Sequence, residues 1–428
     1  MDKNIIGTEM YQLMKELFPI CRSITGNGVR ETLQILRKHV PLEVHEVASG
    51  TKVFDWVVPR EWNIRDAYIK NAKGEKIVDF NKSNLHVMGY SVPIKRKVKL
   101  PELKEHLFSL PDHEDWVPHR TSYYKENWGF CLSHRRLESL KDEEYEVFID
   151  SSLEDGHLTY GEYHIQGEVD DEFLISCHIC HPSLANDNLS GVVLSTFLAK
   201  TLSQKKLRYS YRFVFIPTTI GSITWLSLNE AKTYKIKYGL VVACVGDSGK
   251  LHYKKTRQGD AEIDKVVSHF LKHSGQAYEI HEFSPDGYDE RQYCSPGFNL
   301  PVGRLTRTMH GLFPENHTSA DNLDLIDVDS LVDSYSKYME VIDIIEYNKK
   351  YINTHPKGEP QLGKRGLYST FGGKRESNLQ ELALLWVLNL SDGNSSLLDI
   401  ADRSDLSFSY IREAASKLID EGLLIEAK

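Results

Sequence analysis

Apolar residues recur at helical spacing near both ends of the chain and at strand spacing between them. Met10, Leu13, Met14 and Leu17 fall on one helical face behind Thr8, an N-cap candidate. Val29, Leu33, Leu36 and Val40 repeat the spacing until Pro41, which cannot continue a helix. Residues 47–120 change texture. Short alternating segments at 53–58, 67–70 and 85–90 are divided by turn signals such as Asn71-Ala72-Lys73-Gly74, which predicts a small β-rich module. Strand-like runs at 173–177, 212–216 and 239–245 then alternate with helical stretches, one carrying Val192, Phe197, Leu198 and Leu202 and another at 223–231. That alternation predicts a largely parallel sheet with helices on its faces.

Residues 346–377, with Pro356, Pro360 and several glycines, read as a linker in which Tyr368 and Phe371 are docking candidates. The last fifty residues form a separate pattern. An apolar helix at 379–390 precedes a short helix at 397–401, a third at 407–421 closed by Gly422, and a strand-like tail at 423–425. This is the order of a winged helix. The expected division is an α/β domain from 1–46 and 121–350, an inserted β-rich domain at 47–120, and a winged helix at 361–428.

Length agrees with that division, because 428 residues at about 150 per domain predict about three. Lys and Arg total 52 against 61 Asp and Glu, a net charge of −9, which disfavours a general nucleic-acid or anionic-membrane binder. Residues 378–428 hold nine acidic and four basic side chains, the opposite of a DNA reader, so the winged helix is expected to pack against protein. Its 379–390 helix is more apolar than so small a unit needs, which predicts a homo-oligomer. No apolar run is long enough for a membrane span and no secretory pattern opens the chain. Six sparse cysteines in apolar contexts read as reduced thiols, and a cytoplasmic protein is expected. Cys177-x-x-Cys180 leaves a redox pair or half a zinc knuckle open, although no second such pair exists.

The chemistry follows the strands. The 173–177 run leads into His178-Ile179-Cys180-His181-Pro182-Ser183, and Asp187-Asn188-Leu189-Ser190-Gly191 then opens a helix. The next run leads into Pro217-Thr218-Thr219-Ile220-Gly221-Ser222, and the third into Gly246-Asp247. Ligand sites in open α/β sheets lie beyond the carboxyl ends of the strands. Parallel neighbours would therefore bring His178, Asp187 and Asp247 to one crevice, with His317 in Asn316-His317-Thr318-Ser319-Ala320-Asp321 as a fourth candidate. Two imidazoles and two carboxylates suit zinc.

These segments resemble the co-catalytic zinc aminopeptidases. They are closer still to a bacterial subfamily of aminopeptidase-like proteins with an inserted β domain and a C-terminal winged helix. The carriers are Cys180-His181-Pro182-Ser183 through Gly191, Pro217 to Ser222, Asp289-Glu290-Arg291-Gln292 and His317-Thr318-Ser319. The resemblance covers essentially the whole chain. It implies an α/β fold with a zinc-aminopeptidase-like mixed sheet flanked by helices, and one or two zinc ions. His178 and Asp247 would hold one ion, Asp187 would bridge, and His317 would hold the other side. His181 is extra to the pattern and either replaces His178, joins it or orients the loop.

The implied activity is hydrolysis of an amide bond in a peptide or small conjugate, in polysaccharide or modified-sugar metabolism. One departure opens an alternative. Where the family places a glutamate base and a glutamate ligand, this chain has Thr218 and Thr219, and a neutral hydroxyl is a poor base. Either another carboxylate (Glu162, Glu290 or Glu315) supplies the base, or the chain is an impaired metal-binding member that acts by binding. Arg257 and Arg291 are candidates for a substrate carboxylate, and Tyr288 and Tyr293 for the pocket wall. The β insert, with Trp116 and His119, would roof the crevice.

Overall fold

The computed structural model describes residues 3–368 and 375–427. It forms two compact units, Met1–Ala261 with Glu279–Tyr335, and Glu262–Tyr278 with Ser336–Lys428. The first is built on an eight-stranded mixed sheet in the order Glu43–Ala48, His157–Ile165, Ser210–Ile216, Glu172–His178, Ile236–Val242, Val302–Thr306, Leu251–Lys254 and Tyr278–His281. Glu172–His178 runs parallel to both Ser210–Ile216 and Ile236–Val242, and the latter runs parallel to Val302–Thr306. Every residue of Glu172–His178 is buried, because helices cover both faces of a parallel sheet. Helix Gly191–Leu202 packs so tightly that a Cβ on Gly191 would lie 2.6 Å from the Val242 carbonyl oxygen. Glycine is thus required there by close approach.

The β insert is larger than residues 47–120. Its sheet has the order Lys76–Asp79, Glu61–Lys70, Glu144–Glu154, Ile94–Lys99. The strand Glu144–Glu154, beyond the expected bound at 120, is central and pairs antiparallel on both sides. Tyr145, Val147 and Ile149 enter the insert core beside Ala67, Ile69 and Val98. Alternation in 144–154 signals a strand but not its sheet, since pairing with Glu61–Lys70 and Ile94–Lys99, both far away in sequence, leaves no local mark.

At the N-terminus the first helix is Lys3–Leu17, so Thr8 lies inside it and is no cap. The second, Asn27–Leu36, is tied to the insert by Arg30. Its Nη1 and Nη2 donate to Glu61 Oε1 and Oε2 at 2.7 Å each, and the His157 amide adds a third bond. The Arg30 bonds hold the Glu61 carboxyl down at about 2, below its ordinary 4.5. A group depressed on folding stabilises above its unfolded pKa, and that share fades as pH falls towards the folded value. In urea unfolding, wild type should exceed Glu61→Gln by ~1–2 kcal/mol at pH 6, the full linkage being discounted for the partly exposed Arg30, and the gap should shrink below pH 4.5 and close as pH falls through about 2. A pH-independent gap would contradict this.

In the second unit the winged helix comprises helices Arg375–Leu390, Leu397–Ser404 and Phe408–Asp420 with a three-stranded sheet. Lys350–Asn353, ahead of the expected start at 361, is the middle strand between Asp392–Ser396 and Leu424–Glu426. Part of the expected linker is therefore structural. Tyr368 docks on Glu359 at 2.7 Å, while Phe371 lies outside the described residues. Ser396 and Asp399 form a capping box on the middle helix. Ala383, Leu384, Val387 and Leu388 are buried, Leu379, Leu385, Trp386 and Leu390 are half-buried, and Leu382 is exposed. Among the described residues no helix is long and apolar enough to cross a membrane.

Candidate metal centre

The site begins where Glu172–His178 ends. His178 is its last residue, and the irregular helical turn Ala185–Ser190 follows. Polar side chains of that turn knit it to the neighbouring strand end. Asn188 Nδ2 donates to the Val242 carbonyl, Asn186 Oδ1 accepts from the Gly246 amide, and Ser190 Oγ accepts from the Val245 amide. Asp321 accepts the Asn186 and Asp187 amides at 2.6 and 3.0 Å. These bonds explain the residue types around Asp187, since each satisfies buried backbone in a loop that must not move.

Asp187 is fully buried at the centre. Its Oδ1 lies 3.0 Å from His178 Nε2 and its Oδ2 3.1 Å from His317 Nε2, and Asn316 Nδ2 donates to Oδ2 at 3.1 Å. His178, His181 and Asp187 each offer one donor atom, all within 4.8 Å of one another. The His181 ring lies 4.8 Å from that of His178 and 4.9 Å from that of His317. His119 reaches in from the insert, 5.6 Å from the His181 ring and 5.5 Å from that of His317, and its amide donates to the His317 carbonyl at 2.7 Å. That bond helps hold His317 at φ 56°, a left-handed conformation uncommon outside glycine, which aims its ring at Asp187. From behind, buried Arg22 donates to the His181 carbonyl at 2.8 Å.

Burial opposes ionisation of Asp187, but the surrounding imidazoles outweigh it and hold the carboxyl well below the usual range. Burial drives His181 well below its ordinary value and His119 to about 3, leaving both rings neutral near pH 7. Burial also acts to lower His317, but the Asp187 hydrogen bond prevails and raises it. Burial lifts Asp321 to about 7.

A buried carboxylate ringed by imidazoles is a costly arrangement unless positive charge compensates it. Neutral imidazole and carboxylate are also the donors zinc prefers. The residues therefore fit a zinc ion, which His178, His181 and Asp187 would hold, with His317 beside the other carboxylate oxygen. Asp247 does not join them. Its Oδ1 accepts from the Gly249 amide and Thr308 Oγ1, and its Oδ2 from Asn186 Nδ2. It ties the loop down through the Asn186 side chain, with both carboxylate oxygens engaged.

The centre forms the floor of a cleft of about 390 Å³. Thr218, Thr219, Tyr288 and Arg291 line it. Tyr288 stacks on His178 with centroids 4.9 Å apart. Arg291 Nε is buried and has no hydrogen-bond partner. Thr218 Oγ1 donates at 2.9 Å to Asp289 Oδ1, which also accepts from Ser222. Asp289 Oδ2 has no partner, and burial raises that carboxyl.

The other candidates lie elsewhere. Glu162 pairs with Arg212 and accepts from Trp225 Nε1 at 2.7 Å. Glu290 is buried between Lys254 at 3.1 Å and Arg304 at 3.3 Å. Glu315 does not line the cleft. Arg257 is exposed and bonds Asn299 at 3.0 Å. Tyr293 is buried on Ser176, and Trp116 stacks on His113. The six cysteines are free, and burial raises the Cys177 and Cys180 thiols, so neither is a poised nucleophile. Sequence reasoning missed Trp56, Tyr123 and Tyr124 on the cleft wall, since they lie far from the motifs. It also missed Asn316, although it stands next to His317.

A family model described as a domain of unknown function, DUF4910, matches residues 11–348. The chain belongs to this family. A winged helix-turn-helix model matches residues 349–426, which accounts for the second part of the chain. A Clostridium acetobutylicum protein is 59% identical over 98% of this chain and 96% of its own. It is provisionally named a polysaccharide biosynthesis protein with an aminopeptidase-like domain. A crystal structure from the same organism, provisionally described as a peptidase, has a TM-score of 0.95 at 57% identity, covering 99% of this chain and 97% of that one. The zinc aminopeptidase of Bacillus subtilis superposes with a TM-score of 0.59 at 11% identity, over 80% of this chain and 94% of its own. At that identity the likeness is one of fold, and the large mixed sheet of this DUF4910 member is the aminopeptidase-like one.

Proposed function

We propose that this chain is a zinc-dependent hydrolase of an amide bond, acting on a peptide or on a small amide-bearing conjugate such as a modified sugar. The observation that carries this reading is Asp187, fully buried, bridging His178 and His317 on the floor of a substrate-sized cleft. Zinc bound there supplies Lewis acidity towards a carbonyl oxygen. The unpartnered Arg291 guanidinium receives a substrate carboxylate. Thr218 stands where the resemblance implies the glutamate base, and its hydroxyl is hydrogen-bonded to Asp289. A proton of the attacking water taken at Thr218 Oγ1 can pass along the existing hydrogen bond to the ionised Asp289 Oδ1, whose burial raises its proton affinity, and return to the leaving amine as the C–N bond breaks. The six free cysteines suit the cytosol, the compartment we assign.

The test combines metal analysis with a chromogenic panel of aminoacyl amides and N-acyl sugars. The expected result is zinc-dependent turnover that Asp289→Asn lowers about 100-fold in kcat. Arg291→Ala should chiefly raise KM for carboxylate-bearing substrates. Bound zinc with no turnover on any substrate, unchanged in Thr218→Glu, would overturn the reading. It would favour a metal-holding binding protein, the second reading that the threonine pair on the cleft wall supports. Nucleic acid fits this protein poorly. Residues 378–428 are acidic, and the Phe408 amide that opens the third winged-helix helix is already bonded to His269 Nε2 at 3.1 Å.

A further inference from the structure

We propose a second transition-metal site at the edge of the large sheet, held by His252, Glu279 and His281. None of the three lines the cleft. His252 lies on the strand Leu251–Lys254, and Glu279 and His281 lie on Tyr278–His281, the outermost strand beside it. His252 Nδ1 and His281 Nε2 are 2.9 Å apart. Glu279 Oε2 stands 3.7 Å from the first and 3.6 Å from the second. It therefore faces both ring nitrogens from just beyond hydrogen-bonding reach of either. A point equidistant from these three atoms lies about 2.0 Å from each, the length of a zinc bond to imidazole or carboxylate.

The surroundings are consistent with a built site. The His252 side chain is 4% exposed, whereas those of Glu279 and His281 are 46% and 31% exposed, so the triangle has one buried anchor and an open side. Lys250 bonds the other carboxylate oxygen, Oε1, which leaves Oε2 directed at the rings. The two imidazole planes are 11° apart with centroids at 5.2 Å, so the ring nitrogens meet nearly head-on in a hydrogen bond that an ion held by all three residues would replace. Two imidazoles and a carboxylate select a borderline dication such as zinc over magnesium or calcium. With three protein ligands and a side open to water, the ion would cross-link the last strand to its neighbour, where a sheet edge otherwise frays.

The experiment uses the full chain stripped with chelator and titrated with zinc chloride, stoichiometry being read by calorimetry and by metal analysis after dialysis. Wild type should bind one equivalent more than His281→Gln. Asp187→Ala should keep that equivalent, and the Asp187→Ala/His281→Gln double variant should lose it. Glu279→Gln should weaken the same equivalent at least tenfold, and magnesium should add none. Zinc should also slow amide exchange at residues 278–281 in Asp187→Ala but not in the double variant. Equal stoichiometry in wild type and in folded His281→Gln and Glu279→Gln would overturn this site without touching the cleft assignment, which the Asp187 variant tests separately.

Discussion

Asp187→Ala should abolish zinc binding in the cleft, weakening it more than ~100-fold, since even a partner of a ligand costs about 10–100-fold when removed. The carboxylate meets both His178 Nε2 and His317 Nε2, and no other acid among the described residues joins that donor group. Asp187→Asn is the control for shape. It keeps the hydrogen-bonding outline yet removes the charge, and it should fail to hold the ion as well. It should also let the His317 imidazole titrate lower than in wild type, because the Asp187 bond is what raises it. Equilibrium dialysis with metal analysis reads the first effect and histidine proton resonances in metal-free protein read the second. Zinc retained in the cleft by the alanine variant would defeat the assignment of the centre.

Glu290→Ala should cost ~3–5 kcal/mol of stability, the penalty of leaving a buried ion pair without one partner. Glu290 is wholly buried, and both cations it faces are buried with it, Lys254 at 2% and Arg304 at 1% exposure. Removing the carboxylate leaves Arg304, packed over the Tyr288 ring, without its ion-pair partner, and leaves Lys254 with Asp286 alone. Urea unfolding should therefore show a large loss, whereas a catalytic acid at that position would lower turnover and leave the midpoint in place. Glu290→Gln should recover part of the loss through hydrogen bonds to the same cations. A variant as stable as wild type but inactive would restore Glu290 to the chemistry.

Both predictions turn on the difference between a motif and its surroundings. The Asp187 segment was legible because its function is local. Asp187, Asn188, Ser190 and Gly191 lie within a few residues, each answers a requirement of one strand-to-helix turn, and the crevice position follows from strand polarity. His178 and His317 were legible because each stands beside the end of a recognisable segment. Asp247 misled because the same loop logic places a residue near the crevice without deciding whether it faces an ion or backbone. Glu162 and Glu290 misled for a related reason. An acid beside a motif carries no sign of the arginine or lysine that will meet it.

By itself the sequence determined the periodicities, and with them the α/β body, the β insert and the winged helix, together with the Asp187 and His317 segments. Those properties are encoded over short stretches, where one residue's partner is a few positions away. Only the tertiary structure decided that His181 enters the centre while Asp247 leaves it, that Thr218 is backed by Asp289, and that strand Glu144–Glu154 completes the insert sheet. It also brought Trp56, Tyr123 and Tyr124 to the cleft wall. The physical reason is common to all of these. Each depends on which of many distant polar or apolar groups fills the space opposite a side chain, and that choice is made when the sheet closes and its loops are packed.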